Sequence, residues 1–282
     1  MSKTLTASAV SSFDAEVKHA YQGSGKLRKT VRVKTGVVGS THRFPKLGKG
    51  TASQRVPQTD VVPMNVQHTG ATATLTDWNA PEYTDIFDQA TVNFNEQQEL
   101  ATTIAGAIGR REDQLILDAL DAASTTLTVA TSIGGSATDM NTAKMRRAGR
   151  LLNDQGVPMG KGMRALTLSA QGLESMIGDS DASTIDKNAI KVLVDGEINY
   201  WSGFDIVVIE TRTEGGLPKT SNLRVSYAYD RRAVGLAVGI DFRSEVNYIP
   251  EKTSWLANGL FKAGSVGVDA LGIVEITTTE AS

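Results

Sequence analysis

The chain has no cysteine among its 282 residues. This excludes a disulfide framework, thiolate chemistry and cysteine-ligated zinc. Histidine is almost as scarce. His19, His42 and His68 are the only three, none has a partner at metal-ligand spacing, and each reads as a surface histidine. No run of eighteen apolar residues occurs, so no membrane span is expected. The opening MSKTLTASAVSSF lacks the charged-then-apolar layout of a secretion signal. Aromatic residues are thin where they would matter for single-stranded nucleic acid: Phe44 is the only one between Tyr21 and Trp78.

The most informative absence is of acid. Between Val17 and Thr59 there is no Asp or Glu, while Lys18, Lys26, Arg28, Lys29, Arg32, Lys34, Arg43, Lys46, Lys49 and Arg55 all fall there. A chain of net charge −2 with ten positive charges in one stretch carries −12 on the remainder. Such asymmetry calls for a partner for the basic part, either nucleic acid or an acidic surface on another copy of the chain.

Nucleotide-site motifs fail on inspection. Gly23–Lys26 (GSGK) resembles the end of a phosphate-binding loop, but Ala20 and Leu27 stand where the pattern needs Gly and Ser or Thr. Gly48–Thr51 fails the same test at Arg43. G-x-S-x-G is absent, and carboxylate pairs such as Asp118 with Asp121 lie on an ordinary acidic helix face. The residues show no active site and call for no cofactor and no metal.

What is present is organised around Asp85–Ala123. Leu100, Ile104 and Ile108, then Leu115, Ala119 and Ala122, predict one long helix over Asn93–Ala123. Asn93 and Glu96 fit an N-cap and its capping-box partner, with Glu96 and Glu99 at the positive end of the dipole. Gly106 and Gly109 would let the helix bend or let another backbone come close. Upstream, Phe13–Tyr21 predicts a short amphipathic helix ended by Gly23–Gly25. Lys29–Leu75 predicts a long two-stranded excursion standing away from the body, since few large apolar groups in it face a common core. An isolated hairpin is marginal in water, so it is expected to gain order by lying on something else.

Downstream, Asp139 or Asn141 caps a helix through Asn153, and Met163–Leu168 reads as a buried strand. Ser169 caps a helix to Ile177, and Ser183–Val194 reads as another. Phe204–Glu210 and Leu223–Tyr229 read as strands, joined by a surface loop over 211–222. The last fifty residues are closing strands, with Phe242, Ser244, Val246 and Tyr248 alternating against Arg243, Glu245 and Asn247.

This order of elements resembles the major capsid proteins of tailed bacteriophages, which share the Hong Kong 97-like fold. FDAEVKHAY followed by LRKTVRVKTGVVGSTHRFPKLG is similar to the helix-then-hairpin entry of podovirus-type coats. Asp85–Leu120, with Glu99, Ala107, Arg110, Asp113, Ile116 and Leu117, is similar to the family's spine helix. GEINYWSGFDIVVIE and YAYDRRAVGLAV resemble the late central-domain strand and the turn into the closing strands.

The resemblance implies an α+β fold with an N-terminal arm at 1–25 and an extended E-loop at 26–76. A peripheral P-domain with the spine helix would take 77–137, an axial A-domain 138–224, and closing P-domain strands 225–282. It implies a non-enzymatic shell protein of the virion, assembled in the host cytoplasm as pentamers and hexamers around double-stranded DNA. A portal at one vertex and a possible decoration protein would accompany it. The hairpin begins near residue 26, where some members carry about a hundred residues of scaffold, so a separate scaffolding protein and no cleaved segment are expected. Lys34, Arg43, Lys46, Lys49 and Arg55 would meet the acidic flank of a neighbour, including Glu96 and Glu99. An encapsulin shell and a nucleic-acid-binding module using the basic hairpin are the competing readings.

Overall fold

The computed structural model describes residues 24–86, 96–123, 126–136, 138–179 and 200–280, with helix side chains from Glu99 onward. The predicted helices at Phe13–Tyr21 and Ser183–Val194, and the Asn93 cap, lie outside them.

The chain opens with a 3-10 turn at Arg28–Thr30 and strand β1 (Arg32–Lys34). Strands β2 (Thr41–Leu47) and β3 (His68–Thr74) pair antiparallel as a two-stranded sheet, Thr41 opposite Thr74 and Leu47 opposite His68. Strand β4 (Thr76–Asp85) leads to α1 (Glu96–Ala123), a helix of 28 residues and about 42 Å at 1.5 Å per residue. After β5 (Thr128–Val129) come α2 (Thr142–Asp154), β6 (Arg164–Ser169) and α3 (Ala170–Gly178). Then follow β7 (Tyr200–Trp201), β8 (Phe204–Ile209), β9 (Lys219–Thr220) and β10 (Leu223–Asp230). Three strands close the chain: β11 (Val234–Ile249), β12 (Ser254–Gly267) and β13 (Ile273–Thr279).

One sheet runs β1-β11-β12-β4, with β1 parallel to β11 and the other pairs antiparallel. The second runs β5-β13-β10-β6-β8-β7, with β9 on the side of β10. Successive residues of β10 serve opposite faces. Tyr227 and Tyr229 join the core under α1, whereas Ala228 joins the core under α2. The same alternation sends Ala165 to the first core and Leu166 and Leu168 to the second, which is why β6 is apolar on both faces. Helix α2 starts at Asn141, whose side chain accepts from the Lys144 amide. Helix α3 starts at Ser169, whose hydroxyl accepts from the Gly172 amide at 2.9 Å.

Two expectations need correction. The buried stripe of α1 is Ile104, Ile108, Ile116, Leu117, Ala119 and Leu120, and Ala122 is exposed. The helix is covered on two sides, by the four-stranded sheet and by the face of the second sheet that carries Tyr227 and Tyr229, so its inner surface is wider than a single stripe. The 211–222 segment is not simply surface loop. It holds β9, buries Leu217, and is tied to α1 by the Gly215 amide donating to Gln114 Oε1 at 2.7 Å.

Candidate subunit-contact surface

The hairpin is held to the body at its root. Asp113, fully buried on α1, accepts hydrogen bonds from the backbone amides of Lys26 and Leu27, each at 2.9 Å, and from Arg212 Nη2 at 2.7 Å. Burial pushes its pKa up, and these donors and the Arg212 charge oppose that shift. The close approach is made possible by glycine on both sides. A Cβ on Gly109 would stand 2.8 Å from the Gly25 nitrogen, and one on Gly25 would stand 2.8 Å from the Gly109 oxygen. Gly109 thus serves backbone approach, one of the two uses its position in the helix allows.

Around this joint the basic residues are already spent. Lys26 pairs with Glu210. Arg28 bridges Asp241 at 2.7 Å and Glu112 at 3.3 Å. Burial raises the Glu112 pKa to about 6 despite Arg28, with Asp113 and Asp241 adding to the rise. The hydrogen bond from Arg28 holds Asp241 below its usual range.

Further out, Phe44 on β2 is buried with Ala73, Leu75 and Ala237. Gly235 makes room for it, since a Cβ there would meet the Phe44 ring at 2.7 Å. The β2–β3 base therefore rests on the main sheet, and only the part beyond it stands clear. The Gly48 amide donates to the Gln67 oxygen at 2.8 Å, the outermost backbone bond between the two arms among the described residues. Past that point Val56, Val61, Val62 and Met64 are exposed, at 57%, 89%, 71% and 62%.

The residues expected to reach a neighbour divide accordingly. Lys46 pairs with Asp269 of its own chain at 2.7 Å. Lys34 and Arg43 are exposed on β1 and β2, and Lys49 and Arg55 on the outer segment. None of these four has an ion pair among the described residues. Glu96 begins α1, and its side chain lies outside the described residues. Glu99 is half-buried and already engaged within its own chain. Sequence reasoning did not assign a role to the exposed apolar outer segment. It also missed the Asp113–Arg212 joint, whose partners are 99 positions apart.

Among the described residues no cluster of His, Cys, Asp or Glu could hold a metal, and no helix is long and apolar enough to cross a membrane. A family model described as phage capsid protein matches residues 5–280. The chain belongs to that family. It is a phage capsid protein, a structural component of the virion. Solved structures agree on the fold. The chain is similar to the capsid of Ralstonia phage GP4, with a TM-score of 0.74 at 11% identity, covering 98% of this chain and 96% of that one. It is similar to the head structure of Helicobacter pylori bacteriophage KHP40, with a TM-score of 0.74 at 11% identity over 95% and 94%. The capsid of cyanophage P-SCSP1u gives 0.73 at 14% identity over 95% and 92%. No curated protein matches significantly. Neither the encapsulin nor the nucleic-acid-module reading gains support from these comparisons.

Proposed function

We propose that this capsid protein has the Hong Kong 97-like architecture and builds its shell by laying the 26–76 hairpin, as the E-loop, on an adjacent copy. Residues 77–137 and 225–282 form the peripheral domain, with α1 as its spine, and 138–224 form the axial domain that meets other copies in pentamers and hexamers. The shell encloses double-stranded DNA. It is assembled in the host cytoplasm on a separate scaffolding protein, with a portal at one vertex and room for a decoration protein. The work is mechanical, done by subunit contacts without a cofactor.

The observation that carries this reading is the hairpin itself: rooted on Asp113, seated through Phe44, and bare beyond Gly48. The outer segment between Gly48 and Gln67 carries only Lys49, Arg55 and Asp60, a net charge of +1. Lys34, Arg43, Lys49 and Arg55 remain available for an acidic neighbour. Lys46 would have to leave Asp269 to join them. Exposed ion pairs contribute about 1 kcal/mol or less each, so they act in number.

Electron microscopy of the chain co-expressed with its scaffold tests the reading. Icosahedral shells are expected. A chain in which residues 50–64 are replaced by a short Gly-Ser turn should remain a folded monomer and form none. Normal shells from that shortened chain would remove the hairpin from the assembly mechanism.

A further inference from the structure

Among the described residues, exposed apolar side chains gather on two different elements. The first is the outer hairpin segment, with Val61, Val62 and Met64. The second is a ledge on the far half of β11. There β11 pairs with β12 along its length but with β1 only at Gly235–Ala237. From Ile240 to Ile249 its other edge is open among the described residues. On the ledge Phe242, Val246 and Tyr248 are 41%, 44% and 42% exposed, and Tyr248 rests against Trp255 with ring centroids 5.3 Å apart.

The register puts these three side chains on the sheet face that α1 covers. Val246 stands opposite Ala257, and Tyr248 opposite Trp255. On that same face Gly259 lies under Ile104 and beside Phe242. The helix runs mainly over β12, and among the described residues it covers the edge strand only in part. The polar residues of this half, Arg243 and Glu245, alternate to the other face and pair with each other at 2.6 Å.

An open strand edge with large apolar groups beside it invites association unless something covers it. We infer that the outer hairpin segment of one copy covers the β11 ledge of another, by apolar contact rather than by ion pairing. This rests on the hairpin reading above and names the surface that receives it. The occupant is a second copy for two reasons. The shell is made of copies, and each copy brings one segment and one ledge, so the two surfaces are matched in number. The charge also fits: the segment carries +1 at most, and Lys26, Arg28 and Lys46 are held by Glu210, Glu112, Asp241 and Asp269 of their own chain.

The absence of cysteine makes the test clean. Two paired variants are prepared, Val62→Cys with Tyr248→Cys and Val61→Cys with Phe242→Cys, and assembled shells are oxidised with copper phenanthroline. Covalent multimers are expected on a non-reducing gel from at least one pair and from none of the single variants. Multimers from Val62→Cys alone would place segment against segment and overturn the inference. A bridge confined to monomers, or no bridge from either pair, would overturn it as well. In parallel, Val61→Ser/Val62→Ser/Met64→Ser is assembled at low and high salt and the shell fraction measured by sedimentation. The yield should fall by about tenfold or more at both salts, with the monomer's circular dichroism unchanged. If the serine variant assembles normally while the shortened hairpin does not, the apolar contact is wrong and the hairpin reading stands. If the shortened hairpin assembles, both fall.

Discussion

The two ends of the hairpin are built on opposite terms. At the root, Lys26, Arg28 and Asp113 meet partners in their own chain, and two glycines bring backbones into contact. At the far end, valines and a methionine face outward on extended chain with one hydroxyl-to-carbonyl bond, from Thr59 to Val56, among them. The difference teaches that one basic stretch holds two kinds of surface. Part of the positive charge, at Lys26, Arg28 and Lys46, is paired within the chain, and the outer segment presents apolar surface beside Lys49 and Arg55.

The contrast is broken most severely at the root. Asp113→Ala leaves the buried Arg212 with only its longer pair to Glu210 at 3.6 Å and removes the acceptor of two backbone amides, so it should cost about 3 kcal/mol. Urea unfolding of the monomer checks it. A variant within 1 kcal/mol of the parent would show that the joint is not what secures the hairpin.

A smaller effect separates the root by pH. Glu112 titrates at about 6 in the folded chain, above its ordinary 4.5, because burial penalises its charge. Its protonation therefore favours the folded state. That contribution is fully present below about pH 4.5 and is lost as pH rises through 6. Glu112→Gln should keep its stability through this window while the parent loses some, with the Arg28–Asp241 pair intact in both. Melting temperatures between pH 4.5 and 7 measure it, and parallel curves would refute the assignment.

The smallest effect is expected at the far end. Val61→Ser should change monomer stability by no more than about 0.5 kcal/mol, because the side chain is 89% exposed among the described residues. A larger loss in thermal unfolding would mean that the segment is structural at home as well as away.

Much of the framework could be read from the residues, and the reason is local. Asn141 and Ser169 cap the helices they were expected to cap, since a cap depends on atoms three positions away. The strands at Arg164–Ser169, Phe204–Ile209 and Leu223–Asp230 follow from β-branched and apolar runs. What stayed hidden depends on distant partners. Nothing near Arg212 in sequence announces Asp113. Nothing near Phe44 announces that Gly235, across the main sheet, has given up its side chain to receive the ring. The alternation of Phe242, Val246 and Tyr248 was legible. Which of its faces would be left bare was not, because that depends on how far α1 reaches across the sheet. The proposed contact residues rest on a charge pattern, and pattern cannot tell a lysine held by its own chain, like Lys46, from one left exposed.

One carboxylate on α1 grips both the beginning of the hairpin and the loop that follows β8. Helix, flap and loop consequently meet at one carboxylate, while Phe44 gives the flap a second seat on the sheet. On the proposed assembly, a pull on the flap's outer end would be borne by the Phe44 seat first and by this shared grip behind it.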